Sequence, residues 1–190
     1  MRKYEVMTRR SFFVAALCAS AAFAAGTLPR KAPEFVIKLP DGSQKLLSQY
    51  RGKVVVLEFL ITTCPHCKEA SRVMSRLQAE YGTRGLVCVG VAVNEGAAIR
   101  IPAYVQETGA NFVGGFSDHA PALEFLKHPA NKNFLVPRIA FIDRTGVIRA
   151  ERGGGGDDEF FKNEEKIMRT IIEPMLGPAH GSARKAAPKK

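Results

Sequence analysis

The 190-residue sequence contains no tryptophan and only four cysteines, and it lacks the patterns that several functional classes require. Cys64 and Cys67 are separated by two residues, but no second such pair is present to complete a four-ligand zinc site. A c-type haem requires a histidine directly after the second cysteine, where this chain has Lys68. The sequence therefore predicts neither a bound metal nor another bound cofactor.

The basic residues do not form the pattern of a nucleic-acid site. The formal net charge is +10, yet arginine and lysine form no stripe with interleaved aromatic residues, so no nucleic-acid partner is expected. Removal of residues 1–24 would take away four basic residues and one acidic residue, which leaves +7. Four more basic residues lie in residues 178–190, which have no apolar period and are predicted to be a disordered, solubilising tail.

The N-terminal segment has the layout of an export signal. Arg9 and Arg10 precede an alanine-rich apolar run from Phe12 to Ala25, which is too short to span a bilayer comfortably. The sequence TRRSFF also resembles the twin-arginine export signal. We therefore predict an export signal over residues 1–25 and a periplasmic protein in a bacterium, with no stable membrane insertion after cleavage. An uncleaved signal would instead tether the domain to the inner membrane.

The rest of the chain alternates between strand and helix patterns. The apolar run from Lys53 to Ile61 is typical of a strand covered on both faces, and a helical pattern follows with Pro65 in its first turn. The order β-α-β-α-β-α-β-β-α predicts one α/β domain over residues 30–177, with helices on both faces of a central mixed β-sheet. In the last helix, the predicted core positions are Phe160, Phe161, Ile167, Ile171 and Met175.

The cysteine pair lies between a predicted strand and a predicted helix, which places Cys64 at a helix N-terminus. Unpaired N–H groups and the helix dipole favour negative charge there, and a thiolate is the nucleophile in disulfide exchange. His66 would add a positive charge or an N–H donor, which stabilises the reduced form. Cys67 lies one helical turn further on and is the natural resolving thiol. A purely structural disulfide is disfavoured because the loop that it would close is very short.

Two segments resemble the thioredoxin superfamily, and most closely its exported TlpA/ResA-like thiol-disulfide oxidoreductases. They are LLSQYRGKVVVLEFLITTCPHC, which ends at Cys67, and VPRIAFIDRTGVI, which begins at Val136. The resemblance implies a thioredoxin-like fold and an enzyme that exchanges disulfides with exported proteins. It also implies that electrons come from a membrane or soluble redox partner and that no cofactor is bound.

The resemblance also implies roles for individual residues. Pro137 would be a cis-proline that faces the cysteines, and the groove for the partner chain would include Pro65, Val136 and Arg138. Glu58 stands in an otherwise apolar strand, and burial of a carboxylate is costly unless it has a partner or a task. By the resemblance Glu58 would be a buried acid with a raised pKa that moves the proton of the second cysteine.

Departures from the family pattern leave the direction of the reaction open. Thr63 replaces the tryptophan that usually precedes the first cysteine, so the flat aromatic wall is missing. Pro65 and His66 form the dipeptide of DsbA-type oxidases, but the segment between Gly90 and Pro137 has no room for their helical insertion. Oxidase and reductase both remain open.

Two other functions remain as alternatives. Arg138 lies near the position of the thiolate-activating arginine of peroxiredoxins, so Cys64 could reduce peroxides, although Ile61 replaces the threonine of those enzymes. Cys64, Cys67 and His66 are also a soft ligand set that could carry copper.

Overall fold

The computed structural model describes residues 27–129 and 131–178. The predicted export signal lies outside the described residues, as does the predicted basic tail beyond its first residue. Among residues 27–129 and 131–178, none of the helices has the length and hydropathy of a membrane span.

The described residues form eight strands, five α-helices and two short 3-10 helices, Leu47–Tyr50 and Gly82–Arg84. The strands are β1 (Arg30–Lys31), β2 (Val36–Lys38), β3 (Gln44–Leu46), β4 (Val54–Leu60), β5 (Leu86–Ala92), β6 (Val113–Phe116), β7 (Arg138–Ile142) and β8 (Val147–Gly153). The helices are α1 (Pro65–Tyr81), α2 (Ala97–Thr108), α3 (His119–Phe125), α4 (Asp158–Lys162) and α5 (Glu164–Leu176).

All eight strands form one sheet in the order β1-β8-β7-β4-β5-β6-β2-β3. β4 pairs parallel with β5 and antiparallel with β7, so the predicted mixed sheet is confirmed. β4 is central in the sheet and buried throughout. β8 lies nearer an edge and is partly exposed. Because β4 is central, its carboxyl end and the cysteine pair that follows lie near the middle of the sheet, away from the edge strands.

The buried strand β4 packs against helices on both sides. Val55, Leu57 and Phe59 share one core cluster with Phe125 of α3, which lies over one face of the sheet. Val54 and the other even-numbered apolar residues of β4 face the opposite side, which α1, α2 and α5 cover. The predicted helices on both faces are therefore confirmed. Because side chains alternate along a strand, Glu58 points to the side of α1 and α2.

The structure adds two short strands that the sequence pattern did not predict. β3 pairs antiparallel with β2, and β1 pairs antiparallel with β8. Both are two or three residues long, lie at the sheet edges and carry mainly polar side chains. No apolar run in the sequence indicates these two strands, because they form by pairing with β8 and β2 while their own side chains stay at least partly exposed.

The prediction of one continuous final helix was wrong, and four of its five predicted core positions are only partly buried where they pack against the core. Asn163 separates α4 from α5 with non-helical backbone angles (φ −135°, ψ 33°). A single helical phase therefore does not run through both helices. Phe160 is buried as predicted, but Phe161, Ile167, Ile171 and Met175 are only partly buried. The buried positions of α5 are Glu164, Met168, Ile172 and Leu176.

Candidate active site

Cys64 lies at the N-cap position of α1, as predicted. Its N–H group donates to the carbonyl of Ile61 (3.0 Å), and its own carbonyl accepts the N–H of Lys68 (3.1 Å). These bonds hold the backbone where β4 has ended and the helix begins. The side chain of Cys64 is half-buried, so its sulfur is within reach of a partner.

The structure brings Val136, one of the predicted groove residues, against this cysteine. The Sγ atom of Cys64 lies 4.0 Å from the carbonyl oxygen of Val136. The peptide bond between Val136 and Pro137 is cis, as predicted. The two segments meet because β7 pairs antiparallel with β4, so that Arg138 at the start of β7 lies beside Phe59 near the end of β4.

The second cysteine and the predicted acid are both buried. Cys67 and Glu58 have no exposed surface. Burial raises the pKa of the Cys67 thiol above its ordinary value, and the negative charge of Glu58 raises it further. Burial raises the pKa of Glu58 to about 8, an effect that a hydrogen bond with Ser71 opposes and the charge of Glu164 reinforces. Glu58 is therefore a carboxyl group that changes its charge near neutral pH.

Two hydroxyl groups that the sequence analysis missed lie beside Glu58. Ser71 Oγ is 2.7 Å from Glu58 Oε2 and 2.8 Å from the phenol oxygen of Tyr104. That phenol oxygen is also 2.9 Å from the carbonyl oxygen of Cys67. One sequence signal was available: Ser71 falls on the apolar face of α1, next to Ala70 and one turn after Cys67. A buried polar side chain there requires a partner.

His66 and Pro65 are exposed at the start of α1. The imidazole ring of His66 packs at 5.0 Å, centroid to centroid, against Phe161 of α4. This places the histidine at the rim of the site, where it can contact an incoming partner. Its predicted effect on the Cys64 thiolate stays a prediction.

Arg138 follows the cis-proline and is held by a carboxylate that the sequence analysis did not single out. Its guanidinium lies 3.5 Å from Glu151 of β8, and the same carboxylate also pairs with Arg30 of β1. Burial raises the pKa of Glu151, whereas the two arginines act in the opposite direction. One acidic side chain thus connects β1, β7 and β8 beside the groove.

Cys88 lies in β5 and is buried. Its Sγ atom is 3.6 Å from the carbonyl oxygen of Met74, and burial raises the pKa of its thiol. Cys64, Cys67 and Cys88 are all free thiols. Among residues 27–129 and 131–178, no group of three or more histidine, cysteine or acidic side chains is arranged to hold a metal ion.

The loop that carries Pro137 packs directly against the end of β8. A Cβ atom at Gly153 (φ +83°) would lie 2.2 Å from the carbonyl oxygen of Pro137, and the N–H of Gly154 donates to the same oxygen (2.9 Å). We expect Gly153→Ala to lower the free energy of unfolding by about 1–2 kcal/mol from the left-handed backbone and by a further ~1–3 kcal/mol from the overlap. Urea unfolding measures this loss.

Gly156→Ala is the matched control for that change. Gly156 has a similar φ of +88°, but a Cβ atom there would meet nothing within 4 Å. Gly156→Ala should therefore lower the free energy of unfolding only by the backbone contribution of about 1–2 kcal/mol. Equal losses in the two variants would show that the contact between Gly153 and Pro137 does not restrict this position.

Comparison with known proteins identifies the family. The family model for Redoxin matches residues 28–172. This chain belongs to the redoxin family. The match includes the cysteine pair, Glu58 and the cis-proline, and the resemblance to TlpA/ResA-like members of the thioredoxin superfamily is confirmed.

Several curated proteins are similar to this redoxin chain. Protein DipZ of Mycobacterium bovis is 30% identical over 136 residues, which cover 70% of this chain but only 18% of DipZ. Thioredoxin-like protein YneN of Bacillus subtilis is 37% identical over 123 residues, which cover 63% of this chain and 68% of YneN. Thiol-disulfide oxidoreductase ResA of Bacillus subtilis is 32% identical over 81 residues, which cover 43% of this chain and 45% of ResA.

Solved structures confirm the thioredoxin-like fold. A thiol:disulfide interchange protein of the thioredoxin family from Chlorobium tepidum superposes with a TM-score of 0.62 at 22% identity. The superposition covers 77% of this chain and 99% of that protein. At this identity the likeness establishes the fold, and the activity has to be argued from the site.

Proposed function

We propose that this redoxin is a thiol-disulfide oxidoreductase that exchanges disulfides with exported proteins through Cys64 and Cys67. The observation that carries the proposal is the unequal placement of two free thiols one helical turn apart. Cys64 is within reach of a partner at the start of α1, whereas Cys67 is buried behind it. The similarity to ResA, which is named a thiol-disulfide oxidoreductase, supports the same activity.

The exchange proceeds in two displacements. The Cys64 thiolate attacks one sulfur of a partner disulfide, the partner's S–S bond breaks, and the other partner sulfur leaves as a thiolate. Cys67 then loses its proton and attacks the Cys64 sulfur, which breaks the mixed disulfide and releases the first partner sulfur. The partner has gained two electrons, and Cys64 and Cys67 have lost two and are joined as a disulfide. A membrane or soluble dithiol partner restores the reduced pair.

Glu58 moves the proton in this scheme. It is buried on the same side of the sheet as Cys67, and its charge acts on that thiol. Ionised Glu58 accepts the proton when Cys67 attacks. When the reaction runs in the other direction, Cys67 leaves as a thiolate in a buried site and protonated Glu58 returns the proton. A pKa of about 8 allows both forms of Glu58 to be present near neutral pH.

The partner chain would lie along the groove beside Cys64. Val136 and the cis Pro137 form one side, Pro65 and His66 lie exposed on the other, and Arg138 offers a charged group next to the proline. The predicted export signal would deliver the domain to the periplasm, where protein thiols and disulfides are the substrates.

A competition assay tests this function. The reduced full-length protein is mixed with a peptide disulfide or with hydrogen peroxide, and the products are analysed by mass spectrometry. We expect the peptide disulfide to oxidise the pair faster, through a mixed disulfide at Cys64. Cys64→Ser should lower peptide turnover by at least about a thousandfold, because the attacking atom is lost.

Two results would contradict the proposal. Faster oxidation by peroxide, with sulfenic acid at Cys64, would indicate a thiol peroxidase. Retention of one Cu(I) per chain against a chelator, with no peptide turnover, would indicate a copper carrier. The reduction potential of the pair then decides the direction: about −120 mV is typical of an oxidase such as DsbA, and about −270 mV of a reductase such as thioredoxin.

A further inference from the structure

The buried hydroxyl groups around Glu58 form a chain of three short oxygen–oxygen contacts. The contacts join Glu58 to Ser71 (2.7 Å), Ser71 to Tyr104 (2.8 Å) and Tyr104 to the carbonyl of Cys67 (2.9 Å). Each distance is that of an O–H···O hydrogen bond, so each contact needs one proton between its two oxygens. The chain thus needs three protons.

Counting the available protons fixes the charge state in which all three bonds can form. Ser71 supplies one proton and Tyr104 supplies one, and the Cys67 carbonyl supplies none. Burial raises the pKa of Tyr104, so its phenol keeps its proton. With ionised Glu58 two protons must serve three contacts, and one pair of oxygens is left without a bond. With protonated Glu58, each group donates to the next: Glu58 to Ser71, Ser71 to Tyr104, and Tyr104 to the Cys67 carbonyl.

We propose that Tyr104 is a positioning residue that acts through Ser71 to favour the protonated form of Glu58 and that connects Glu58 to the backbone of Cys67. The inference rests on the proposed thiol-disulfide exchange, for which it assigns how the proton is stored. The stored proton lies on the carboxyl group that serves Cys67. When Glu58 loses its proton, the Ser71 hydroxyl donates to Glu58 instead of to Tyr104. The single hydroxyl proton of Tyr104 can then bond either Ser71 or the Cys67 carbonyl, but not both.

The other titratable groups around Glu58 come from three elements. Cys67 lies on α1, Cys88 on β5 and Glu164 on α5, and each has an electrostatic interaction with Glu58. The residue paired with Glu58 on β7 is the apolar Ile139. Glu164 also disfavours the charged form of Glu58, but it lies outside the hydroxyl chain, so its effect should persist in variants of Ser71 and Tyr104.

The test is the titration of Glu58 itself in Tyr104→Phe, in Ser71→Ala and in the double variant of the full-length, reduced protein. The carboxyl carbon of ¹³C-labelled glutamate is followed by NMR as a function of pH, and the Glu58 signal is assigned by its loss in Glu58→Gln. Tyr104→Phe removes two bonds from the protonated form and one from the ionised form, so the pKa of Glu58 should fall by roughly half to one unit. Ser71→Ala breaks the link between Tyr104 and Glu58, so adding Tyr104→Phe in that background should leave the pKa of Glu58 where Ser71→Ala alone puts it.

The dependence of the Tyr104→Phe shift on Ser71 separates a proton-holding chain of hydroxyl groups from simple packing. Tyr81→Phe is the matched control. Tyr81 is also buried, but its hydroxyl donates to Glu173 and has no part in the chain of hydroxyl groups around Glu58. It should leave the titration of Glu58 unchanged. No shift in Tyr104→Phe, or an equal shift from Tyr104→Phe with and without Ser71, would overturn the inference. The titration needs no partner disulfide, so it can fail while the exchange reaction stands, and the reverse.

Discussion

Replacing Cys67 with serine is expected to stop the reaction at the mixed disulfide. The Cys64 sulfur stays within reach of a partner, so the first displacement proceeds, but no internal thiol is left to complete the second. Intramolecular attack by a positioned group corresponds to effective concentrations of roughly 10⁵–10⁸ M, and an external thiol at millimolar concentration does not replace it. Release of the partner should therefore slow by at least about a thousandfold.

Mass spectrometry measures this trap directly. The Cys67→Ser protein should accumulate one peptide per chain, attached to Cys64, when mixed with a peptide disulfide. Cys88→Ser is the matched control, since the Cys88 sulfur is buried in β5 and contacts the carbonyl of Met74, a contact that a hydroxyl can keep. It should turn over like the wild type. Normal turnover of Cys67→Ser, or a peptide attached to Cys88, would contradict the assigned roles.

The second large effect is on the pH dependence of stability. Burial raises the pKa of Glu58 from 4.5 to about 8, so the folded domain holds a proton that the unfolded chain releases between these values. The free energy of unfolding should therefore fall as the pH rises from about 4.5 to about 8. The total loss is at most about 5 kcal/mol, since each unit of pKa corresponds to ~1.4 kcal/mol.

Glu58→Gln removes this loss because the amide stays neutral at every pH. The variant should match the wild type near pH 5 and exceed it in stability by several kcal/mol near pH 8. Urea unfolding of both proteins between pH 5 and 8.5 measures the difference. Glu164, whose pKa burial raises to about 7, should leave a smaller slope in the variant. Curves that run parallel over the whole range would show that Glu58 does not titrate between the folded and unfolded states as described.

The features that the sequence predicted well are those with a local pattern. The position of Cys64 at a helix N-terminus followed from an apolar strand, a CxxC and a helical period that adjoin one another in the chain. The central mixed sheet followed from the alternation of strands and helices. The cis bond before Pro137 required the resemblance to the thioredoxin superfamily, since it has no local signal, whereas the burial of Glu58 was indicated locally by the apolar strand around it.

The features that were missed depend on contacts between distant segments. Ser71 and Tyr104 are 33 residues apart and meet only because α2 packs beside α1. Glu151 of β8 is joined to Arg30 across 121 residues through the pairing of β1 with β8. No periodicity in one segment reveals such a partner. The burial of the polar group is the only local sign, and burial itself depends on the fold.

The different depths of the two sulfurs impose an order on every encounter. In the proposed exchange an incoming protein meets only the outer sulfur, so each catalytic cycle would begin at the same atom whichever way electrons flow. The inner sulfur never meets a client directly, which keeps it from being captured by a second protein while the first is still attached. Selection among clients is therefore made by the rim around the outer sulfur, and changes to that rim would alter the range of clients without altering the chemistry beneath.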